Sequence, residues 1–153
     1  EAFNSYCQHC GFRMLQLPEP RDWQIKAKRT WSREMRGIAK VVTGGGKTVF
    51  AGACINEFYS TGESRVVIIV PTTALRDQWY SIMTSAWGIA AEEIATSRDD
   101  VHDDEWSTLL LVVNTAREVV PNLKCQSECF LIVDECHRAA SEENRKSMTG
   151  KCL

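Results

Sequence analysis

The sequence lacks long apolar runs and a strong excess of either charge. The two longest apolar runs, residues 66–70 and 109–113, have five residues each, whereas a membrane-spanning helix needs about 20. The 18 basic and 20 acidic side chains leave a formal net charge of −2, which does not by itself indicate a nucleic-acid-binding protein. The first residues also lack the basic and apolar regions of a signal peptide. We therefore expect a globular chain of one domain outside the membrane.

Cysteine is plentiful, but its number is odd. Seven cysteines without a secretion signal favour thiols or metal ligands over a disulfide framework, and they predict a reducing, cytoplasmic compartment. Cys7 and Cys10, followed by Gly11, have the spacing of half a zinc knuckle, in which two thiolates meet one tetrahedral ion. The other half would come from Cys125 and Cys129 or from a pair upstream. Zinc binding and free thiols both stay open at Cys7 and Cys10.

The charges are unevenly distributed along the chain. Residues 21–47 carry eight basic and two acidic side chains, whereas residues 92–105 carry seven acidic side chains and one basic side chain. One part of the chain can therefore attract a polyanion while the whole chain stays near neutral.

The alternation of apolar runs with helical periodicities predicts an α/β fold. Residues 1–20 end in two prolines and form a predicted N-terminal appendage, and residues 21–153 form the predicted domain. Apolar side chains at helical spacing separate the predicted strands. The four predicted strands are residues 38–42, 66–70, 109–113 and 130–133, of which the last three are apolar throughout. Because uniformly apolar strands are covered on both sides, we expect a mostly parallel sheet with helices on both faces.

A glycine-rich loop follows the first predicted strand. Between that strand and the next helix lie Thr43, Gly44, Gly45, Gly46, Lys47 and Thr48. Glycines let backbone amides turn toward a phosphate, and a helix N-terminus adds positive potential. Lys47 can reach the β- and γ-phosphates of a nucleotide, and the Thr48 hydroxyl can bind Mg²⁺. We interpret the segment as a phosphate-binding loop, although Val41 replaces the first glycine of the general pattern; a flexible glycine turn is the alternative.

Two carboxylates end the last predicted strand. Residues 130–133 are apolar and run directly into Asp134 and Glu135. Ligands of open α/β sheets bind at the carboxyl ends of the strands. We therefore predict that Asp134 holds Mg²⁺ and that Glu135 polarises the water that attacks a phosphate. A solvated loop end is the alternative for the pair taken alone, and Cys136 is predicted to pack rather than to act as a nucleophile.

Residues 43–48 and the Asp-Glu-Cys-His of residues 134–137 together resemble motifs I and II of superfamily 2 DEAD/DEAH-like helicases. The amino-acid sequence of the second motif, together with residues 138–141, favours the branch shared by type III restriction enzyme Res subunits and DNA repair helicases. The likeness extends from about Arg21 to the C-terminus, and the family commonly departs from the general pattern at the position of Val41. It implies the first P-loop, RecA-like lobe of an ATP- and Mg²⁺-dependent DNA helicase, translocase or restriction motor.

Shorter segments add to this resemblance. Trp23 and Gln24 are similar to a family segment in which an aromatic packs on adenine and a Gln reads the edge of the base. Four residues resemble the motifs that hold the phosphates of a nucleic acid, with DNA implied rather than RNA: Pro71, Thr72, Thr73 and Thr115. Without the resemblance, the alternative interpretations are that Gln24 is a solvated helix residue and that Thr72 and Thr115 are helix N-caps. For the two threonines both roles can coexist.

The resemblance also implies parts that this sequence lacks. The family's Ser-Ala-Thr motif III and its second lobe do not occur before Leu153, so we expect residues 21–153 to be a first lobe truncated before motif III. The arginine finger of a second lobe contributes ~10³–10⁵ in rate, and we expect almost no hydrolysis by this lobe alone. Two other functions stay open: a P-loop phosphotransferase acting on a small molecule, and a non-catalytic module that binds nucleotide or nucleic acid.

Overall fold

The computed structural model describes residues 11–101, 106–123 and 129–139. The chain divides into two compact units, an N-terminal unit, Glu1–Gly62, and a C-terminal unit, Glu63–Leu153. The N-terminal unit contains the helices α1 (Asp22–Glu34) and α2 (Lys47–Tyr59). In chain order, the C-terminal unit contains β1 (Arg65–Val70), α3 (Thr73–Ser85), β2 (Ile94–Ala95), β3 (Thr108–Val112), α4 (Val113–Val119) and β4 (Cys129–Val133).

In the N-terminal unit, α1 packs against α2. Phe50, Cys54 and Phe58, spaced four residues apart, lie buried on one face of α2, as the helical periodicity predicts. Burial raises the pKa of the Cys54 thiol to about 12, while nearby Lys28 lowers it and Glu57 raises it further. Cys54 is therefore a core thiol and not a nucleophile at neutral pH.

In the C-terminal unit, the four strands in the described part of the chain form one parallel sheet in the order β2-β3-β1-β4. Val67 and Ile69 of β1 belong to a buried cluster that also contains Ala116 and Val119 of α4. The alternate residues of β1 point to the opposite face of the sheet and are also buried. Helix α3, outside that cluster, contacts β1 and β3. The predicted α/β fold with a parallel sheet is confirmed.

One predicted strand is wrong. Residues 38–42 are described, but they form neither a strand nor part of the sheet. Ile38 and Val42 are 81% and 80% exposed, so this apolar run is not buried as predicted. A strand needs a neighbour that accepts its backbone hydrogen bonds, and hydrophobic periodicity carries no information about that neighbour.

One short strand was not predicted. β2 lies within residues 91–106, which the polar composition indicates as loop and solvated helix, and it pairs Ile94 with Thr108 and Ala95 with Leu109. Two residues are too few to show a period of two. No helix in the described part of the chain is both long and apolar enough to cross a bilayer.

Candidate active site

The glycine-rich loop turns tightly before α2. The Gly45 N–H donates to the Val42 carbonyl at 2.9 Å. Gly44 and Gly46 have φ values of +75° and +89°, which favour glycine, and a Cβ on Gly45 would lie 2.6 Å from Val41 Cγ1. All three glycines are therefore required by the backbone of this turn. Thr43 is exposed in the turn, and Lys47 and Thr48, both half-buried, are the first two residues of α2.

Residues at the start of α1 support the loop. The Gln24 Nε2 donates to the Gly46 carbonyl at 2.8 Å, and the Arg21 guanidinium donates to the Gly45 carbonyl at 3.3 Å. The Gln24 Oε1 accepts from the Arg21 backbone N–H at 2.7 Å. Both ends of this amide thus bond the backbone, and the side chain is 2% exposed. The expectation that Gln24 is a solvated helix residue is wrong.

The contact of Gln24 with the loop was not predicted from the sequence. A Gln three residues after a helix N-cap is the signal for the local bond to Arg21, but nothing in the sequence points to Gly46. The predicted contact of Gln24 with adenine stays a prediction. Trp23, the predicted base-packing residue, is half-buried, and its ring centroid lies 5.6 Å from that of Phe50.

The acidic pair follows β4 directly. The Asp134 N–H donates to the Ile69 carbonyl of β1 at 2.9 Å, which extends the sheet ladder past Val133. The Asp134 Oδ1 accepts from the Glu135 N–H at 2.9 Å, and its Oδ2 accepts from the Trp79 indole N–H at 2.9 Å. Both carboxylates are half-buried.

Glu135 has a strained backbone. Its φ of +52° lies in the left-handed region, which a residue with a side chain rarely occupies. Its Oε2 lies 3.4 Å from His137 Nδ1, an ion pair when the imidazole is protonated. Strain of this kind concentrates at functional sites. Cys136, between these residues, is exposed, so the prediction that it packs is wrong. It lies beyond the last strand residue, at the first position of a short helical turn, and the neighbouring His137 is exposed as well.

The four predicted nucleic-acid-binding residues lie at the N-terminal ends of two helices of the C-terminal unit or directly before them. Pro71 and Thr72 link β1 to α3, whose first residue is Thr73, and the Thr72 Oγ1 caps the helix by accepting from the Leu75 N–H at 3.2 Å. Thr115 is the third residue of α4, whose N-cap is Val112. The N-cap expectation is therefore confirmed for Thr72 and wrong for Thr115.

The N-terminal ends of α3 and α4 and the acidic pair lie at one edge of the sheet. β1 is parallel to β3 on one side and to β4 on the other, so the carboxyl ends of the three strands lie side by side. This is the edge at which open α/β sheets bind ligands.

The residues predicted as possible metal ligands are the cysteines considered for zinc and the residues considered for Mg²⁺. Cys7, Cys10 and Cys125 lie outside the described residues, and Cys129 is buried in β4. The described residues contain no cluster of three or more His, Cys, Asp or Glu side chains that could hold a metal. Mg²⁺ does not require one, because it binds through one or two carboxylates together with water and phosphate oxygens. The carboxylate of Asp134 supplies the type of oxygen ligand that Mg²⁺ binds.

Sheet and glycine loop together define a P-loop α/β protein of the RecA-like class. The family model described as type III restriction enzyme, res subunit, matches residues 17–151. The chain belongs to this helicase-like family. No curated protein matches the chain. Family membership confirms the resemblance at the level of a helicase-like family, and it implies an ATP-binding protein that uses Mg²⁺ and binds DNA.

Proposed function

We propose that the chain is the first, ATP-binding lobe of a DNA-dependent ATPase, a helicase, translocase or restriction motor. With a second RecA-like lobe it would hydrolyse ATP and move along or remodel DNA. The observation that carries the proposal is the backbone of the glycine loop. Left-handed residues at Gly44 and Gly46 and a close approach at Gly45 lead directly into α2. A turn of this kind presents backbone amides to an anion.

The residues of the N-terminal unit bind the nucleotide. Lys47 contacts the β- and γ-phosphates, the Thr48 hydroxyl would be a ligand of the metal ion, and Thr43 lies beside them in the loop. Trp23 packs on the base. Gln24 reaches the adenine edge by exchanging one of its two backbone hydrogen bonds for a bond to the base.

The residues of the C-terminal unit carry the chemistry and the contact with DNA. Asp134 orients the metal, and Glu135 positions the attacking water and accepts its proton. When bound, Mg²⁺ neutralises charge on the phosphate oxygens. Thr72 and Thr115, at the N-terminal ends of α3 and α4, hold phosphates of the DNA strand at the same edge of the sheet.

The test is ATP turnover, with and without DNA, in the protein that joins this chain to its second lobe. Lys47→Ala and Glu135→Gln should each lower DNA-stimulated turnover by about 100-fold or more while far-UV circular dichroism stays unchanged. Lys40→Ala and Glu118→Gln are matched controls, because both side chains are exposed and lie outside the proposed site.

Undiminished turnover in either site variant would contradict its assigned role. ATP turnover that is independent of DNA but requires a small-molecule acceptor would indicate a phosphotransferase. Tight nucleotide binding without turnover would indicate a binding module.

A further inference from the structure

Trp79 connects a buried aromatic cluster to the carboxylate of Asp134. It lies in the second turn of α3, is 4% exposed, and packs edge-on against Trp87 with ring centroids 5.9 Å apart. Its indole N–H donates to the Asp134 Oδ2 at 2.9 Å, although 55 positions separate the two residues in the sequence. An indole nitrogen can only donate, so the direction of this bond is unambiguous.

The two oxygens of Asp134 are held from two different directions. Oδ2 accepts from the indole on α3, and Oδ1 accepts from the Glu135 N–H on the chain that follows β4. The Asp134 backbone is fixed as well, because its N–H donates to Ile69 of β1. Two donors on opposite oxygens oppose rotation of the carboxylate plane.

We propose that Trp79 is a positioning residue that orients the Asp134 carboxylate for Mg²⁺. This inference rests on the proposed function, in which Asp134 holds the metal. Partners of a metal ligand set its orientation, and their removal lowers metal affinity or activity by ~10–100-fold. The family motif does not identify Trp79 in this role; the fold does, because α3 brings the indole to the end of β4.

A purely structural role for Trp79 would depend on its ring and not on its N–H group. Trp79→Phe keeps a buried aromatic ring and removes the donor. Trp87→Phe is the matched control, since Trp87 belongs to the same pair of rings, is 2% exposed, and loses a similar volume.

The first experiment measures binding of a fluorescent ATP analogue to this chain as a function of Mg²⁺ concentration. We expect Trp79→Phe to raise the Mg²⁺ concentration at half-saturation by about tenfold and to leave binding without metal unchanged. Trp87→Phe should leave the Mg²⁺ midpoint within about twofold of the wild-type value, because the carboxylate keeps both donors.

The second experiment observes the hydrogen bond directly and does not depend on turnover or on the stability of the Trp79 variant. In ¹H–¹⁵N spectra the indole resonance of Trp79 is assigned as the one that disappears in Trp79→Phe. If that variant does not fold, the resonance is assigned in the wild-type chain through its correlations with the other side-chain protons of Trp79. Its chemical shift should change when the acceptor is removed by Asp134→Ala, and it should change when Mg²⁺ and the ATP analogue are added. The Trp87 indole resonance should move less in both cases.

The possible results separate this inference from the proposed function. A wild-type Mg²⁺ midpoint in Trp79→Phe, or a Trp79 indole resonance that ignores Asp134→Ala, overturns the positioning role and leaves nucleotide binding by the glycine loop intact. A wild-type chain that shows no Mg²⁺-dependent nucleotide binding overturns both proposals. The paired shifts in Mg²⁺ midpoint and indole resonance support them.

Discussion

The glycine loop and the acidic strand end are built in opposite ways. In the loop, the backbone forms the proposed binding surface, and side chains of α1 hold it through the carbonyls of Gly45 and Gly46. At the strand end, side chains form the surface, and the sheet holds them through the bond from the Asp134 N–H to Ile69. Backbone amides suit a phosphate, and carboxylates suit a metal ion. In the loop, side chains hold the backbone and leave its amides to bind a ligand. At the strand end, the backbone bonds of the sheet hold the residues, and their side chains are left to bind one.

The two regions also differ in how they use apolar residues. Residues 38–42, before the loop, contain four apolar residues around Lys40, yet Ile38 is 81% exposed, whereas Ile68 of β1 is fully buried. β1 is buried because β3 and β4 pair with both of its edges and helices cover its faces. How much an apolar segment stabilises the fold therefore depends on whether neighbouring elements bury it. Substitutions in a buried and in an exposed segment test this difference.

The largest expected effect is a loss of core packing in the sheet. Leu110→Ala should lower the free energy of unfolding by about 2–5 kcal/mol, because Leu110 is fully buried in β3. Ile38→Ala should change it by less than about 0.5 kcal/mol, since that side chain is exposed. Urea unfolding monitored by circular dichroism measures both. A cost for Ile38→Ala comparable to that for Leu110→Ala would contradict the difference between the two runs.

A smaller effect is expected in the glycine loop. Gly46→Ala should lower the free energy of unfolding by about 1–2 kcal/mol, because alanine is strained in the left-handed region. Its Cβ would also lie 2.7 Å from Gln24 Nε2, so the affinity for the ATP analogue should fall by at least about tenfold, or about 1.4 kcal/mol.

Gly62→Ala is the matched control for Gly46→Ala. Gly62 has a φ of +95°, but its added Cβ would meet only Phe12 Cε1, at an ordinary 3.9 Å. It should lose similar stability and keep the nucleotide affinity. Equal affinities in the two variants would show that the contact of Gln24 with the loop does not matter for binding.

The smallest expected effect on stability separates two threonines in one turn at the sheet edge. Thr72→Ala removes the cap of α3 and should lower the free energy of unfolding by about 1 kcal/mol. Thr73→Ala, at an exposed neighbour, should change it by less than about 0.5 kcal/mol. If both contact DNA phosphates as proposed, both variants should weaken DNA binding in a fluorescence-anisotropy titration. A weakening confined to Thr72→Ala would assign the whole effect to the cap.

The sequence predicted the C-terminal unit better than the N-terminal unit. The predicted strands 66–70, 109–113 and 130–133 each agree with β1, β3 and β4 to within one residue at either end. Each of these three segments carries a strong local signal, an uninterrupted apolar run. Residues 38–42 carry a weaker form of this signal, four apolar residues interrupted by Lys40. Only the arrangement of neighbouring strands could reveal that this segment is not buried in the sheet.

The candidate site divides along a similar line. Lys47, Thr48 and the acidic pair follow from local patterns, because a loop or a strand end determines their positions. The bond from Trp79 to Asp134 and the bond from Gln24 to Gly46 join residues that are 55 and 22 positions apart. No periodicity or motif encodes such a pair, so both had to come from the fold.

The left-handed backbone of Glu135 has an evolutionary consequence. A non-glycine residue in that conformation costs about 1–2 kcal/mol relative to glycine. If Glu135 positions the attacking water, relief of this strain by substitution would remove the base, and selection for catalysis would oppose selection for heat resistance at this one site. Thermostable relatives would then have to gain their extra stability elsewhere in the chain and keep the strained glutamate.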